Sequence, residues 1–284
     1  MNAQLMDGAA LAARMRGEVG EEVAELGHVG LATVLVGDDP ASDVYIRLKH
    51  KAADAVGIEA IDHRLPAVTT EDDLLSLVRE LNEDERIDGI LVQTPLPDQI
   101  DETRVMRTID PVKDVDGLHP FNAGQLYLGR QTFVPATPLG VMHLLTEYRV
   151  QVAGARAVVV GRSALVGKPM AMLLLQANAT VTICHSRTDD LARHTLDADL
   201  LVAAVGLPDV ITADMVKQGA TVVDVGITRT DDGLVGDVEA DVAEVAALLS
   251  PVPGGVGPMT IAALLANSVR AARYRQGKLA FPLI

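Results

Sequence analysis

The sequence predicts an α/β protein with two domains and a cleft between them. Short apolar runs, many of them rich in valine and isoleucine, alternate with amphipathic segments along the whole chain. That alternation is typical of parallel sheets whose strands are joined by crossover helices. The chain has 284 residues, of which 49% are hydrophobic, so it is long enough to bury two cores.

Seven strands and one domain boundary follow from this pattern. The predicted strands are 30–37, 58–65, 87–94, 155–161, 179–185, 199–206 and 220–227. The pattern breaks where Thr137 can cap a helix and Pro138 suits its first turn, and this helix is predicted to end near residue 148. The first 19 residues carry charges at short intervals and predict an amphipathic helix, not a secretory signal.

Charge and cysteine content exclude several classes of function. The chain has 39 acidic and 24 basic residues, a formal net charge of -15 and no long basic run, which argues against non-specific binding to nucleic acid or to an anionic membrane. No apolar run approaches the roughly 18 residues of a membrane span. Cys184, the single cysteine, allows no intrachain disulfide and fits the reducing cytoplasm.

A phosphate-binding loop is predicted in the second half of the chain. The segment "VVVGRSALVGKPM", residues 158–170, reads as a strand, a polar turn containing Gly161, Arg162 and Ser163, and a helix with an early proline. The spacing departs from the usual G-x-G-x-x-G, and the motif by itself fits a structural turn equally well. It nevertheless predicts a Rossmann-type dinucleotide-binding domain.

The end of the next strand indicates which dinucleotide is bound. A NAD site places an acidic residue there, roughly 20 residues beyond the glycines, to bind the ribose hydroxyls. This chain has Ser186 and Arg187 instead, a hydroxyl and a guanidinium that suit a ribose phosphate. The pair predicts NADP, the alternative being that Arg187 is an ordinary exposed arginine. His185 is given no role.

The segment "YIRLKHK", residues 45–51, predicts a substrate site in the first half. On a helix spanning about 42–56, Tyr45 and Lys49 are four residues apart and share a face, whereas Lys51 lies about 200° further round. The side chains of Lys49 and Lys51 are therefore predicted to have different surroundings. Surface packing of an ordinary helix is the alternative interpretation.

Two further segments deliver polar groups at the ends of predicted elements. "LVQTPLP", residues 91–97, places Gln93 at the carboxyl end of a strand, where open α/β sheets bind ligands. "PVKDVDG", residues 111–117, offers Asp116 in a constrained turn. Its carboxylates are poor evidence for calcium, and no metal is predicted. One carboxylate can, however, accept two parallel N–H donors, such as those of the amino-pyrimidinone edge of a pterin.

These segments, taken together and in order, resemble one known family. They are "YIRLKHKAADAVGI", "LVQTPLP", "KDVDG", "PATPLG", "GRSALVGKPM", "CHSRT", "VVDVGI" and "PVPGGVGPMT". Over about residues 40–265 the chain is similar to the bifunctional methylenetetrahydrofolate dehydrogenase/methenyltetrahydrofolate cyclohydrolase family. The resemblance implies an N-terminal three-layer α/β catalytic domain, a Rossmann-type NADP domain, a homodimer and a role in cytoplasmic one-carbon metabolism that feeds purine synthesis.

The resemblance also implies roles for individual residues. Lys49 matches the catalytic lysine, Tyr45 the tyrosine that stacks on or positions the folate, Gln93 its polar partner and Asp116 the pterin-binding carboxylate. The positions that match cofactor contacts are Gly161, Arg162, Ser163, Ser186 and Ile227. The chain departs from the family at Ala136, usually cysteine, and at Thr94, usually leucine; neither position is catalytic.

The implied activity is the NADP-dependent oxidation of methylenetetrahydrofolate followed by hydrolysis of methenyltetrahydrofolate to formyltetrahydrofolate. The predicted folate domain covers 1–137 and is completed by a C-terminal helix over about 258–284, and the predicted NADP domain covers 138–257. The sequence leaves two alternatives open: a two-domain dehydrogenase that resembles shikimate dehydrogenase and reduces a small keto acid, and a catalytically silent folate- or nucleotide-binding regulator.

Overall fold

The computed structural model describes residues 2–130, 132–231 and 233–282, and all of their side chains except those of residues 40 and 41. The chain divides into two compact units. We call Met1–Ala13 with Thr137–Ala263 the six-stranded unit, and Arg14–Ala136 with Leu264–Ile284 the three-stranded unit. Each unit is built around its own parallel sheet.

The secondary structure confirms the predicted α/β class. In the described residues the strands are β1 (Gln4–Leu5), β2 (Gly30–Val36), β3 (Glu59–Leu65), β4 (Gly89–Val92), β5 (Arg156–Val160), β6 (Thr180–Cys184), β7 (Leu200–Ala203), β8 (Thr221–Asp224), β9 (Thr228–Thr230), β10 (Gly233–Val235) and β11 (Leu248–Leu249). The helices are α1 (Gly8–Leu26), α2 (Pro40–Ala55), α3 (Glu71–Glu83), α4 (Glu102–Thr108), α5 (Pro120–Tyr127), α6 (Ala136–Glu147), α7 (Gly167–Gln176), α8 (Leu191–Thr195) and α9 (Val256–Arg275). The seven predicted strands correspond to β2 through β8, each slightly shorter than predicted. Among the described residues, none of these helices is long and apolar enough to cross a membrane.

The three-stranded unit contains a parallel sheet in the order β3-β2-β4. Every residue of β2 and β4 is buried, as expected for strands covered by helices on both faces. The core on one side includes Val34 and Ile90 from the sheet and Leu74 and Val78 from α3. Because the three strands are parallel, the segments that follow them leave from the same edge of the sheet.

Helix α3 shows how local sequence fixes an element of this core. Its N-cap is Thr70, whose hydroxyl accepts from the backbone N–H of Asp73, and three acidic residues in the first turn favour the positive end of the helix dipole. Four buried side chains recur at helical spacing and face the sheet. They are Leu74, Leu75, Val78 and Leu81.

The six-stranded unit contains a parallel sheet in the order β1-β11-β8-β7-β5-β6. The chain passes from β5 to β6 on one side and then returns to β7 on the other side of β5. The connections that leave β5 and β7 therefore diverge at their carboxyl ends. In open α/β sheets this switch point is where ligands bind.

The N-terminal segment differs from its prediction as a single helix. Gln4–Leu5 instead form β1, which pairs with Leu248–Leu249 of β11, and helix α1 begins only at Gly8. A Cβ atom at Gly8 would lie 1.8 Å from the carbonyl oxygen of Gly255, so only glycine fits where α1 begins. A tertiary strand partner, which local periodicity does not reveal, thus overrides the helical pattern.

The predicted helix cap at Thr137 is also wrong. Helix α6 begins one residue earlier, at Ala136, so Thr137 lies within its first turn. The Thr137 hydroxyl oxygen lies 3.0 Å from that of Thr260 on α9. A tertiary hydrogen bond therefore takes the hydroxyl that was expected to cap the helix.

The C-terminal helix ends before the predicted residue 284. Helix α9 stops at Arg275, and Gly277 follows with a φ of 68°. Phe281 then packs its ring 5.0 Å from Tyr274 and 5.5 Å from Phe121, measured between ring centroids. The last two positions of the predicted helix, 283 and 284, lie outside the described residues. The segment after α9 is thus tied to the three-stranded unit by aromatic contacts.

Candidate active site

Lys49 and Gln93 are brought together in the three-stranded unit. The Lys49 amine donates a hydrogen bond of 3.0 Å to Gln93 Oε1. Gln93 follows β4 directly; its backbone N–H donates to the Val34 carbonyl at 2.8 Å and its side-chain amide N–H donates to the Thr94 carbonyl at 2.8 Å. Because its amide nitrogen is engaged there, the oxygen of Gln93 faces the lysine.

The surroundings of Lys49 favour its neutral amine. Burial lowers the pKa of Lys49, because the charged form loses solvation, and the carboxylate of Asp116 opposes this effect only in part. Burial likewise raises the pKa of Asp116, with Lys49 acting in the opposite direction. The two groups lie within electrostatic reach of each other, and both residues are partly buried.

A tight turn presents Asp116. The buried carboxylate of Asp114 accepts from the backbone N–H groups of Leu118 at 3.1 Å and His119 at 2.8 Å. Gly117 has a φ of 65°, and a Cβ atom there would lie 2.9 Å from the Val134 carbonyl carbon. Asp114 thus closes the turn that carries Asp116, and it is not itself a second free carboxylate.

Buried amides hold this turn from behind. Asn122 donates to Asp114 Oδ2 at 2.8 Å and accepts from the Thr132 hydroxyl at 2.5 Å. Asn267 of α9 donates to the carbonyl of Val115 at 2.7 Å. Burial raises the pKa of Asp114 to about 6, although its hydrogen bonds act in the opposite direction. Sequence reasoning missed both asparagines, because neither belongs to a spaced motif.

The other residues of the predicted substrate helix have different environments. Tyr45 is 41% exposed on α2. Lys51 is exposed, and Arg47 forms an ion pair of 2.8 Å with Asp43, one turn earlier on the helix. The structure thus places Lys49 against Gln93 while Lys51 remains in solvent, as the helical spacing predicts.

A cavity of about 350 Å³ lies in the six-stranded unit at the carboxyl ends of β5, β6 and β7. It is lined by Val160, Gly161, Arg162, Ser163, His185, Ser186, Leu191, Ala204, Val205, Leu207 and Val210. Four of the five predicted cofactor residues are among them; Ile227, which is 37% exposed after β8, is not. His185, for which no role is predicted, also lines the cavity, and its Nδ1 accepts from the Arg187 N–H at 3.1 Å.

The loop after β5 fits a dinucleotide phosphate. Gly161 has a φ of 133°, and a Cβ atom there would lie 2.3 Å from the Ala204 carbonyl oxygen. A Cβ at Gly167 would lie 2.2 Å from the Gly161 carbonyl oxygen. The Ser163 hydroxyl accepts from the Val166 N–H at 3.0 Å and fixes the turn that enters α7. Close backbone approach of this kind leaves space for a ligand, and side chains larger than glycine would fill that space.

Replacing Gly161 with alanine tests this close approach. We expect the free energy of unfolding to fall by about 3 kcal/mol and NADP binding to weaken, because the new methyl group meets a backbone carbonyl. Urea unfolding and calorimetric titration with NADP measure the two effects. Gly154→Ala is the matched control, since Gly154 has a φ of 80° but open space around it. Equal losses in the two variants would contradict the role assigned to close packing.

No group of three or more His, Cys, Asp or Glu residues within the described part of the chain could hold a metal ion. The groups that the two sites do offer are an amine, an amide, carboxylates and a cavity at the carboxyl ends of parallel strands. Together they define an α/β enzyme that uses a dinucleotide.

Comparison with known families gives the particular enzyme class. Residues 6–116 match the catalytic domain of tetrahydrofolate dehydrogenase/cyclohydrolase, and residues 135–276 match the NAD(P)-binding domain of the same enzymes. The chain belongs to the tetrahydrofolate dehydrogenase/cyclohydrolase family. The predicted family and the predicted dinucleotide-binding domain are both confirmed.

Individual relatives are similar to this chain over nearly its whole length. The bifunctional protein FolD of Moorella thermoacetica is 56% identical over 279 residues, which cover 96% of this chain and all of the relative. The crystal structure of the bifunctional FolD from Campylobacter jejuni is 45% identical, with a TM-score of 0.95 over 98% of this chain and 100% of that one. FolD of Trypanosoma brucei, solved with NADP and an inhibitor, is 41% identical, with a TM-score of 0.93 over 98% of this chain and 100% of that one.

Shikimate dehydrogenase, the alternative class left open by the sequence, shares only the fold with this chain. Shikimate 5-dehydrogenase from Thermus thermophilus is 18% identical, with a TM-score of 0.54 over 87% of this chain and 99% of that chain. Its likeness to this chain is therefore architectural and gives no support for a shared substrate.

Proposed function

We propose that this chain oxidises methylenetetrahydrofolate with NADP and then hydrolyses methenyltetrahydrofolate to formyltetrahydrofolate. The observation that carries the proposal is the partly buried amine of Lys49, held by Gln93 and facing the charge of Asp116. The product of the oxidation is the substrate of the hydrolysis, so one folate site serves both steps. Membership of the family supports the pairing of these two activities.

The oxidation needs alignment more than a strong base. A nitrogen lone pair of the folate assists departure of the hydride, so the protein has to hold the donor carbon in place and tolerate the cation that forms. When bound, NADP supplies the nicotinamide that accepts the hydride. Gly161, Arg162, Ser163 and Ser186 line the cavity and would hold the cofactor. Ser186 would supply the hydroxyl, and Arg187 the positive charge, that favour a ribose phosphate.

The hydrolysis needs a proton acceptor. Water attacks the methenyl carbon as its C=N double bond opens, and a neutral Lys49 amine can take the proton released in this attack. Return of a proton to the departing folate nitrogen then breaks the C–N bond and leaves the formyl group. The desolvation that lowers the lysine pKa makes the neutral form available nearer to neutral pH. Gln93 orients the amine by accepting one of its N–H bonds and leaves the lone pair free to act.

Asp116 and Tyr45 serve to bind the folate. The Asp116 carboxylate offers two oxygens to the adjacent N–H donors of the pterin, and the Asp114 turn fixes its direction. The exposed ring of Tyr45, on the same face of α2 as Lys49, is available to stack on a planar ligand. A small keto acid has no edge that would use the Asp116 carboxylate.

Equilibrium binding separates this proposal from a keto-acid dehydrogenase. Tetrahydrofolate, which does not react, should bind saturably to the purified protein without cofactor, whereas shikimate should not. Calorimetric titration of both compounds measures this difference. Binding of shikimate without tetrahydrofolate would move the assignment to the alternative class.

The division of labour between the domains belongs to the same proposal. We assign folate chemistry to 1–137 with the C-terminal helix from about 258, and the cofactor to 138–257. The family matches at 6–116 and 135–276 support a division near residue 137. The return of the C-terminal helix is supported instead by the grouping of Leu264–Ile284 with the three-stranded unit. Cys184, a buried free thiol, suits work in the cytoplasm, where thiols remain reduced.

A homodimer is also proposed, joined through the edge of the six-stranded sheet. Strand β6 lies at the end of that sheet and is largely exposed, with Ile183 at 40% exposure, and Leu175 on the preceding α7 is 55% exposed. An uncovered edge with apolar side chains is a ready surface for pairing with a second copy.

Replacing Ile183 with lysine is expected to convert the dimer into a monomer, because it places a charge on the pairing surface. Light scattering coupled to size-exclusion chromatography measures the mass. Leu234→Lys is the control, since Leu234 is 39% exposed on the separate β10 hairpin and should leave the dimer intact. A dimer that survives Ile183→Lys would rule out this edge as the interface.

A further inference from the structure

Two buried aspartates in the six-stranded unit have no part in the chemistry described above. Asp224 is the last residue of β8 and is 4% exposed, and Asp237 is fully buried. Within the described residues neither forms an ion pair with a basic side chain. A buried carboxylate without a paired cation lowers stability unless hydrogen bonds compensate for its lost solvation. The groups that donate hydrogen bonds to these two aspartates therefore indicate their role.

Asp237 binds three successive backbone N–H groups of one loop. Its Oδ2 accepts from Val205 at 2.6 Å and from Gly206 at 3.1 Å, and its Oδ1 accepts from Leu207 at 3.0 Å. These residues follow β7, and both Val205 and Leu207 line the cofactor cavity. The carboxylate of Asp237 therefore fixes the backbone that forms one wall of that cavity.

Asp224 holds Asp237 in turn. Its Oδ1 accepts from the backbone N–H groups of Gly226 at 3.0 Å and Asp237 at 2.9 Å, and its Oδ2 accepts from Val238 at 3.1 Å. Gly226 directly precedes Ile227, the cofactor position that does not line the cavity. The Asp224 carboxylate thus connects the loop after β8 to the segment that carries Asp237.

The glycines beside each aspartate show how closely the two loops fit. A Cβ atom at Gly226 would lie 1.8 Å from Asp237 Oδ1, and one at Gly236 would lie 1.8 Å from Asp224 Oδ2. Each glycine leaves the space that the carboxylate of the other loop occupies. The contact is reciprocal and lies at the carboxyl ends of the strands, the edge where such sheets bind ligands.

We propose that Asp237, supported by Asp224, is a positioning residue of the cofactor site. It holds the 205–207 loop opposite Gly161, so that the cavity is formed before the dinucleotide arrives. An asparagine at position 237 would turn an N–H₂ group toward backbone N–H donors that now meet carboxylate oxygens. The cavity wall would loosen, while the folate site in the three-stranded unit would keep its own contacts. This inference rests on the proposed NADP-dependent function.

The test compares cofactor binding with a reaction that needs no hydride acceptor. For Asp237→Asn we expect the Kd and KM for NADP to rise about tenfold, with kcat of the oxidation changed much less. Hydrolysis of methenyltetrahydrofolate in the absence of NADP should proceed at the wild-type rate. Asp224→Asn should show the same pattern, and Asp241→Asn, which alters an exposed aspartate of the same unit, should change neither quantity.

The possible outcomes separate the positioning role of Asp237 from the proposed function. Unchanged NADP affinity in both variants, measured by calorimetry without folate, would overturn the positioning role while leaving the proposed function intact. Equal loss of NADP binding and of hydrolysis, or failure of both variants to fold, would overturn the positioning role and show that Asp224 and Asp237 only stabilise the fold. A wild-type protein that binds NADP but turns over no folate would overturn the proposed function and leave the binding comparison to decide the role of Asp237.

Discussion

Replacing Lys49 with methionine is expected to lower the hydrolysis of methenyltetrahydrofolate by about 10² to 10⁴-fold, the usual contribution of a positioned general base. Methionine keeps most of the side-chain volume but has no proton acceptor for the attacking water. Oxidation of methylenetetrahydrofolate should be retained, because that step depends on alignment. The loss of absorbance of the methenyl compound, followed with and without enzyme, measures the first activity.

Lys51→Met is the matched control. Lys51 is exposed on the same helix, two residues from Lys49, so its replacement makes the same change of side chain without touching the site. Its hydrolysis rate should equal that of the wild type. Similar losses in the two variants would show that the helix contributes only general positive charge.

The pH dependence of hydrolysis provides a second readout of the same group. The neutral amine is the active form, so the rate should rise with pH through the pKa of Lys49, which burial lowers below the ordinary lysine value. In Lys49→Met this rise should disappear. A rate profile that is identical in wild type and variant would assign the proton acceptor to another group.

Replacing Asp116 with asparagine is expected to lower kcat/KM for both reactions by about 10²-fold. The amide keeps one acceptor but places an N–H₂ group against an N–H donor of the pterin, so one hydrogen bond is lost and a donor is left unpaired. The effect should appear mainly in KM and in the Kd for tetrahydrofolate. Steady-state kinetics of both activities and calorimetric titration measure it.

Asp98→Asn is the control for Asp116, since it removes a carboxylate that is exposed in the segment after β4. It should leave the binding of tetrahydrofolate unchanged. If Asp116→Asn bound tetrahydrofolate as tightly as the wild type, the carboxylate would not recognise the pterin, and the folate assignment would lose its main specific contact.

Much of the site could be predicted because its residues follow regular elements. Lys49 and Tyr45 share a face at helical spacing, and Gln93 follows a strand of four buried residues. The direct bond between Lys49 and Gln93 joins residues 44 positions apart and required the fold itself. The same holds for Asn267, whose amide reaches Val115 across 152 positions.

The residues that sequence reasoning missed hold loops and do not resemble catalytic motifs. Asp114 lies two residues before Asp116, yet its oxygens are occupied by backbone N–H groups of its own turn. Asp237 lies 30 to 32 residues from the N–H groups that it binds. Such carboxylates are recognisable only once the backbone donors around them are known, because an isolated aspartate in a sequence most often lies in solvent.

The most direct measurement is turnover by the purified protein with methylenetetrahydrofolate and NADP, in which NADPH is followed continuously and acid-quenched samples are analysed for methenyl and formyl products. We expect NADPH to form together with formyltetrahydrofolate that accumulates faster than it does without enzyme. NADPH with methenyl product alone would contradict the role given to Lys49, and no NADPH with either nicotinamide cofactor would contradict the proposed function as a whole.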